Sequence, residues 1–231
     1  LTAATLALTA SGGGVGSAAT LETDTTVLRV TAAGTVAILE SSALQLGDGT
    51  SNVTTSAGTI TITTTNGAIT TGNTVSTTGT GTNITLTSGG ANGITISNNV
   101  DSASAGNITM TSGAAFTLAN GVSISAAGTG DVSISTSGVN PMTINGIIQT
   151  ADDAGATITL TASEAITMDS DSVLQSGGNM ILTSSAGTVT LDVIATTQTG
   201  TFSVDAVGAL SFSDTNLIGV DIEGTFTAES D

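Results

Sequence analysis

The sequence predicts an all-β chain, a right-handed parallel β-helix (β-solenoid) with about 24 residues per coil and three short strands in each coil. Three observations predict it. First, an apolar residue, a Thr, Ser, Ala or Ile, and a second apolar residue recur ten times: Leu6/Leu8, Val36/Ile38, Ile60/Ile62, Ile84/Leu86, Ile108/Met110, Val132/Ile134, Ile158/Leu160, Met180/Leu182, Phe202/Val204 and Phe226/Ala228. The intervals run 30, 24, 24, 24, 24, 26, 22, 22 and 24 residues. Second, each phrase alternates apolar and polar, the period of a strand with one buried face. Third, 39% of the residues are apolar and they recur in step, so the chain buries enough surface to fold despite its low complexity.

The block Gly58–Gly81 serves as the type repeat. Gly58-Thr59 turns and Ile60–Thr63 forms the first strand; Asn66-Gly67, a strong turn dipeptide, ends the run that follows. Ile69 opens the second strand and Val75 anchors the third. Elsewhere second strands are expected at Leu44/Leu46, Ile94/Ile96, Phe116/Leu118, Met142/Ile144, Ile166/Met168, Val189/Leu191 and Leu210/Phe212. Third-strand anchors are expected at Val53, Val75, Val100, Val122/Ile124, Ile147, Val173, Val193 and Ile218/Val220.

Gly stands two residues before the first apolar position at Gly34, Gly58, Gly106, Gly130, Gly178, Gly200 and Gly224, a column expected where a corner demands a left-handed or otherwise Gly-favouring backbone. Asn83, Asn107, Asp131 and Asn179 follow and are expected to stack as a corner ladder. The whole of residues 1–231 reads as one solenoid domain, with an irregular first coil over 1–35 and regular coils over 36–231. Gly12–Gly16 is a loop, without the Lys-Ser/Thr ending of a phosphate-binding loop, and 150–157 is an acidic insertion.

Charge narrows the partners. With 18 acidic residues against one basic residue, Arg29, the formal net charge is −17, yet only 8% of residues are charged. One Arg does not neutralise a run of phosphates, which argues against nucleic acid; the same deficit argues against anionic membrane surfaces. No stretch reaches the length of a membrane-spanning helix. Residues 1–10 carry no positive n-region, so the chain reads as a mature or excised segment. With no Cys, no disulfide staple is available.

Two stretches, GNITMTSGAAFTLANGVSISAAG (106–128) and GTITITTTNGAITTGNTVSTTG (58–79), resemble the filamentous-haemagglutinin-like repeats of large secreted bacterial proteins, autotransporter passengers and two-partner-secreted adhesins. The resemblance spans the chain from about Thr35 to Asp231. It implies a parallel β-helix on a bacterial cell surface or outside the cell, with roles in attachment or matrix building.

Candidate chemistry is sparse. The chain has no His, Tyr, Trp or Lys, and its four Phe fall in apolar strand positions, so a polysaccharide-active site would rest on carboxylates alone. Asp152/Asp153, Asp169/Asp171 and Asp221/Glu223 are the possible pairs. The better use of such acids is Ca²⁺, with Asp169, Asp171, Asp221 and Glu223 as candidate ligands; Asp169-x-Asp171 and Asp48-Gly49 are two-ligand starts, and the glycine-rich nonapeptide of calcium-binding β-rolls is missing. Asn52-Val-Thr54, Asn83-Ile-Thr85 and Asn107-Ile-Thr109 match the N-glycosylation acceptor pattern, two of them inside the repeat phrase.

The outward positions of the first strand are more regular. Thr61/Thr63, Thr85/Thr87, Thr109/Thr111, Ser133/Ser135 and Thr159/Thr161 predict two parallel hydroxyl columns over five consecutive coils. Such Thr-x-Thr arrays resemble ice-binding solenoids, and Thr is equally a good exposed strand former. Together these features predict a non-enzymatic structural rod. Its expected partners are identical subunits stacked head to tail or adjacent repeats of a longer chain.

Overall fold

The computed structural model describes residues 1–151, 155–197, 200–212, 221–222 and 226–230. Every strand pair among them is parallel, and the chain winds as a β-solenoid of about eight turns. The first column of strands is Val36–Glu40, Ile60–Thr64, Ile84–Ser88, Ile108–Ser112, Val132–Thr136, Ile158–Ala162, Met180–Ser184, Phe202–Ala206 and Phe226–Ser230. Its register never slips: Val36 lies over Ile60, then Ile84, Ile108, Val132, Ile158, Met180, Phe202 and Phe226. The second column runs Leu44, Ile69, Ile94, Phe116, Met142, Ile166, Val189 and Leu210. At the usual spacing of parallel strands, about 4.8 Å, the stack is a rod on the order of 40 Å long.

Alternation explains why these residues point inward. Val36, Ile60, Ile62, Ile84, Leu86, Ile108 and Ile134 are completely buried, and one continuous core runs up the rod. Each such side chain contributes roughly 1.5–3 kcal/mol relative to exposure. Where a strand meets a corner, the inward position turns polar. Thr64, Ser88, Ser112, Thr136 and Ser184 are buried there. Ser88 donates to the Asn92 carbonyl at 2.8 Å, Ser112 to Ala115 at 3.0 Å and Thr136 to Asn140 at 3.0 Å, so each hydroxyl satisfies a carbonyl that the corner strips from the sheet.

Three expectations change. Leu6 and Leu8 do not head the first column: they lie over Leu28 and Val30, which in turn lie over Leu46 and Val53 of the second and third columns. The cause is the twelve-residue strand Leu21–Ala32, which passes all three columns as one strand and places Leu21 over Ile38. The third-column anchors are Ile148 and Leu174, both buried, rather than Ile147 and Val173. Two adjacent apolar residues leave the face ambiguous in sequence, and a one-residue slip reverses it. The side chain of Val193, with Ile218 and Val220, lies outside the described residues.

The Gly column has a different reason from left-handed backbone. None of its described members has positive φ. A Cβ on Gly106 would sit 2.1 Å from the Thr82 carbonyl oxygen, on Gly130 2.3 Å from that of Gly106, and on Gly200 2.0 Å from that of Gly178. The corner brings consecutive backbones too close for any side chain pointing along the rod. Gly224 lies outside the described residues, as does part of the acidic insertion, 152–154.

Candidate functional site

The surface offers three places to look: the hydroxyl columns, the acidic corner at Asp169, and the first two coils. The columns form as expected. Thr61 lies over Thr85, Thr109, Ser133 and Thr159, and Thr63 over Thr87, Thr111, Ser135 and Thr161. Ala37 and Leu39 bound this array on one side, Ile181 and Thr183 on the other. From Ala37 to Thr183 no outward side chain of the first column is charged; Asp205 follows. The second column carries another hydroxyl line, Thr70, Thr95, Thr117, Thr143, Thr167 and Thr190, one Thr per strand at the polar position of the apolar-polar alternation.

The corner ladder also forms. The Asn83 side-chain oxygen accepts from the Asn107 backbone N–H at 2.9 Å, Asn107 from Asp131 at 2.9 Å, and Asp131 from Thr157 at 2.7 Å; Asn179 repeats this with Thr201 at 2.9 Å. Asn83 and Asn107, both in glycosylation-type triplets, thus spend their amide oxygens on the next coil.

Asp169 and Asp171 meet in a bulge of the strand Ile166–Ser176, where the register shifts between Met168 and Ser172. Their carboxylates are taken up by donors of the protein. Asp169 Oδ1 accepts from the Asp171 N–H and the Ser172 hydroxyl, both at 3.1 Å, and Asp171 Oδ2 from the Asn120 amide at 2.7 Å. The Asn145 amide, in the orientation that satisfies its neighbours, donates to Asp169 Oδ2 at 3.2 Å. Among the described residues no three acidic side chains converge on one point. Asp221 pairs through its backbone with Thr196, far along the chain from the bulge, and its side chain lies outside the described residues, as do Glu223 and the pair Asp152/Asp153.

Buried Glu40, half-buried Asp101 and the pairing of Arg29 with Asp48 escape the sequence reading. Glu40 is completely buried and accepts four hydrogen bonds: from the Thr23 hydroxyl at 2.8 Å, the Thr25 N–H at 2.9 Å, and the Ser42 N–H and hydroxyl at 3.1 Å each. It occupies the inward corner position that Thr64 and Ser88 fill in later coils. Alternation from Val36 was the signal available. Asp101 projects from the third column between Ser76 and Ser125, half-buried, and desolvation raises its pKa above the ordinary carboxylate value.

Arg29 pairs with Asp48 at the corner beside the Thr2–Ala10 strand. The turn at Asp48 holds that carboxylate: Oδ1 accepts from the Thr50 hydroxyl at 2.8 Å and from the backbone N–H groups of Thr50 at 3.1 Å and Ser51 at 2.8 Å. The Thr50 hydroxyl first, with the two N–H groups and Arg29, lowers the Asp48 pKa against the opposing effect of desolvation.

Comparison with known proteins found no protein-family model, no curated protein and no solved structure that matches this chain. The class that stands is therefore the β-solenoid repeat protein. No helix of the described residues is long and apolar enough to cross a membrane.

Proposed function

We propose that this chain is a non-enzymatic structural rod of a bacterial surface or extracellular fibre, acting in self-assembly, adhesion or both. One observation carries the reading: a single register repeats from Val36 to Phe226, so each coil is a template for the next. A parallel coil edge with unpaired N–H and C=O groups recruits another edge, and two unlike ends give head-to-tail contacts that extend without closing. The partner is an identical subunit or the adjacent repeats of a longer chain. Resemblance of the repeat phrases to filamentous-haemagglutinin-like proteins supports the surface location, and the near absence of Lys and Arg suits exposure to trypsin-like proteases. Negative-stain microscopy and light scattering test the assembly. Filaments of one rod's width, growing with protein concentration, are expected; a strict monomer at all micromolar concentrations refutes self-assembly.

A second reading has its own observation. Two hydroxyl columns in register over five coils make a flat, uncharged lattice suited to ordering water or ice. Thermal hysteresis of the wild type, lost on replacing Thr85 and Thr109 by bulky charged residues, would establish ice binding. Its absence in the wild type leaves the columns as strand-forming surface.

A further inference from the structure

Asn-Gly is a reactive pair as well as a turn dipeptide. Asn is chemically labile, and the nitrogen of a following Gly closes on its side-chain carbonyl to a five-membered imide, with no Cβ to hinder the approach. The chain holds four such pairs: Asn66-Gly67, Asn92-Gly93, Asn120-Gly121 and Asn145-Gly146. The dipeptide alone ranks them equally; the coil stack separates them.

Ring closure swings the Asn–Gly peptide out of its place, so it needs backbone that is free to turn. Three of the pairs are wedged against a neighbouring coil. A Cβ on Gly67 would lie 2.1 Å from the Ala43 nitrogen, on Gly93 2.5 Å from the Ala115 oxygen and on Gly146 2.3 Å from the Val122 oxygen. Their carbonyls are tied as well. Gly93 accepts from the Ile69 N–H at 3.1 Å, Gly146 from the Val173 N–H at 3.2 Å, and Gly67 from the Thr64 hydroxyl. Moving any of these peptides strips hydrogen bonds from the stack.

Asn120-Gly121 stands clear of it. Both residues are exposed, and beyond the chain neighbours nothing lies within 4 Å of where a Gly121 Cβ would be. Gly121 holds φ +72°, and its N–H makes no hydrogen bond. The turn is closed only by a long bond, 3.4 Å from the Val122 N–H to the Ala119 carbonyl. Rotation of this peptide therefore disturbs no other coil. The Asn120 amide nitrogen donates to Asp171 Oδ2 at 2.7 Å, on an exposed corner where water competes for both groups.

We infer that Asn120-Gly121 is a self-modification site of the folded rod. The Gly121 nitrogen attacks Asn120 Cγ, the new N–Cγ bond replaces Cγ–Nδ2, and ammonia leaves with the proton of the Gly121 N–H. Water then opens the imide at either carbonyl and gives an aspartyl or an isoaspartyl residue; nothing is oxidised or reduced. Either product carries a carboxylate where the amide stood. Asp171 Oδ2 then exchanges its donor for a like charge, in the bulge that also holds Asp169, and the chain becomes one unit more negative than −17. The corner between the second and third columns thus grows more acidic as the protein ages.

The chemistry needs no assembly and is followed on the soluble chain. Purified protein is held at mildly alkaline pH for several days, quenched in acid, cut with pepsin and read by mass spectrometry with electron-transfer fragmentation, which separates isoaspartyl from aspartyl. Asn120 should gain about 1 Da, in part as isoaspartyl, at least tenfold faster than Asn66, Asn92 or Asn145. In concentrated urea the four should convert at similar rates, because the stack no longer selects among them. Asn120→Gln keeps an amide beside Asp171 but requires a slower six-membered ring, so it should abolish the gain at this position with far-UV circular dichroism unchanged. Conversion of any other pair as fast as Asn120 in the folded chain, no conversion at Asn120, the same preference persisting in urea, or a product that is aspartyl alone would each overturn the assignment.

Discussion

Ile108 and Thr109 are neighbours in sequence with opposite fates. Ile108 is fully buried between Ile84 and Val132, whereas Thr109 faces outward between Thr85 and Ser133. Ile108→Asp places a carboxylate among apolar side chains with no donor in reach, and should cost upward of about 4 kcal/mol, enough to abolish cooperative folding. Thr109→Asp should cost less than about 1 kcal/mol. Thermal melts by circular dichroism check both; equal damage would mean the strand face is reversed. Asp101 gives a test with a pH signature. Its pKa is raised on folding by desolvation, so the ionised form destabilises the fold, and that penalty fades as pH falls through the raised value. Asp101→Asn should therefore raise the melting temperature at pH 7 by about 1–2 °C, solvent screening holding the gain to a few tenths of a kcal/mol. The advantage should vanish near pH 3, where the wild-type group is neutral too. A gain that persists unchanged in acid would assign the effect to something other than desolvation.

At the scale of a strand or corner, the constraint is the approach of one coil to the next. Gly106→Ala drives a Cβ into the Thr82 carbonyl, so backbone must move; a loss of about 2–3 kcal/mol is expected, read as a fall in melting temperature. Glu40 is the matching constraint in the first coils. Glu40→Ala leaves the buried Thr25 N–H and the half-buried Ser42 N–H without their acceptor and should cost about 2–4 kcal/mol. The strand it holds contains the chain's one trypsin site, Arg29, so limited trypsin digestion should split the variant into 1–29 and 30–231 while the wild type stays whole. Equal resistance of both would show that Glu40 does not hold the strand. These elements mark what was legible. The period and alternation located the first column from Val36 onward, and Asn83–Asn107–Asp131 read as a ladder because a polar residue recurs at one phase. Ile147-Ile148 and Val173-Leu174 misled because both members are apolar. The Gly column was visible but its cause was not, since distance between coils is absent from a local pattern. Arg29 and Asp48 are nineteen residues apart with no repeat to relate them, so their pairing left no trace in the sequence.

Across the whole molecule, each coil touches only the coil before and the coil after, so stability is close to a sum of neighbour interfaces. Central strands such as Ile108–Ser112 are paired along both edges, with Ile84–Ser88 and Val132–Thr136. Thr2–Ala10 and Phe226–Ser230 are each paired along one edge among the described residues. Amide exchange should follow that difference: slowest in Ile84–Thr136, fastest in the two outer strands, because opening an outer coil breaks one interface and opening a central one breaks two. Under the proposed head-to-tail assembly, protection of Thr2–Ala10 and Phe226–Ser230 would depend on protein concentration while the centre stays unchanged. Net charge sets the geometry of what forms. Copies carrying −17 repel side by side, so single-width filaments are expected at low salt, with bundling on addition of millimolar Mg²⁺ or Ca²⁺ as counterions bridge acidic corners. Hydrogen exchange measured by mass spectrometry over a hundredfold dilution decides the matter. Outer-strand protection that falls on dilution supports stacking of coil on coil; outer strands that exchange at one fast rate at every concentration would show that these edges do not meet another copy.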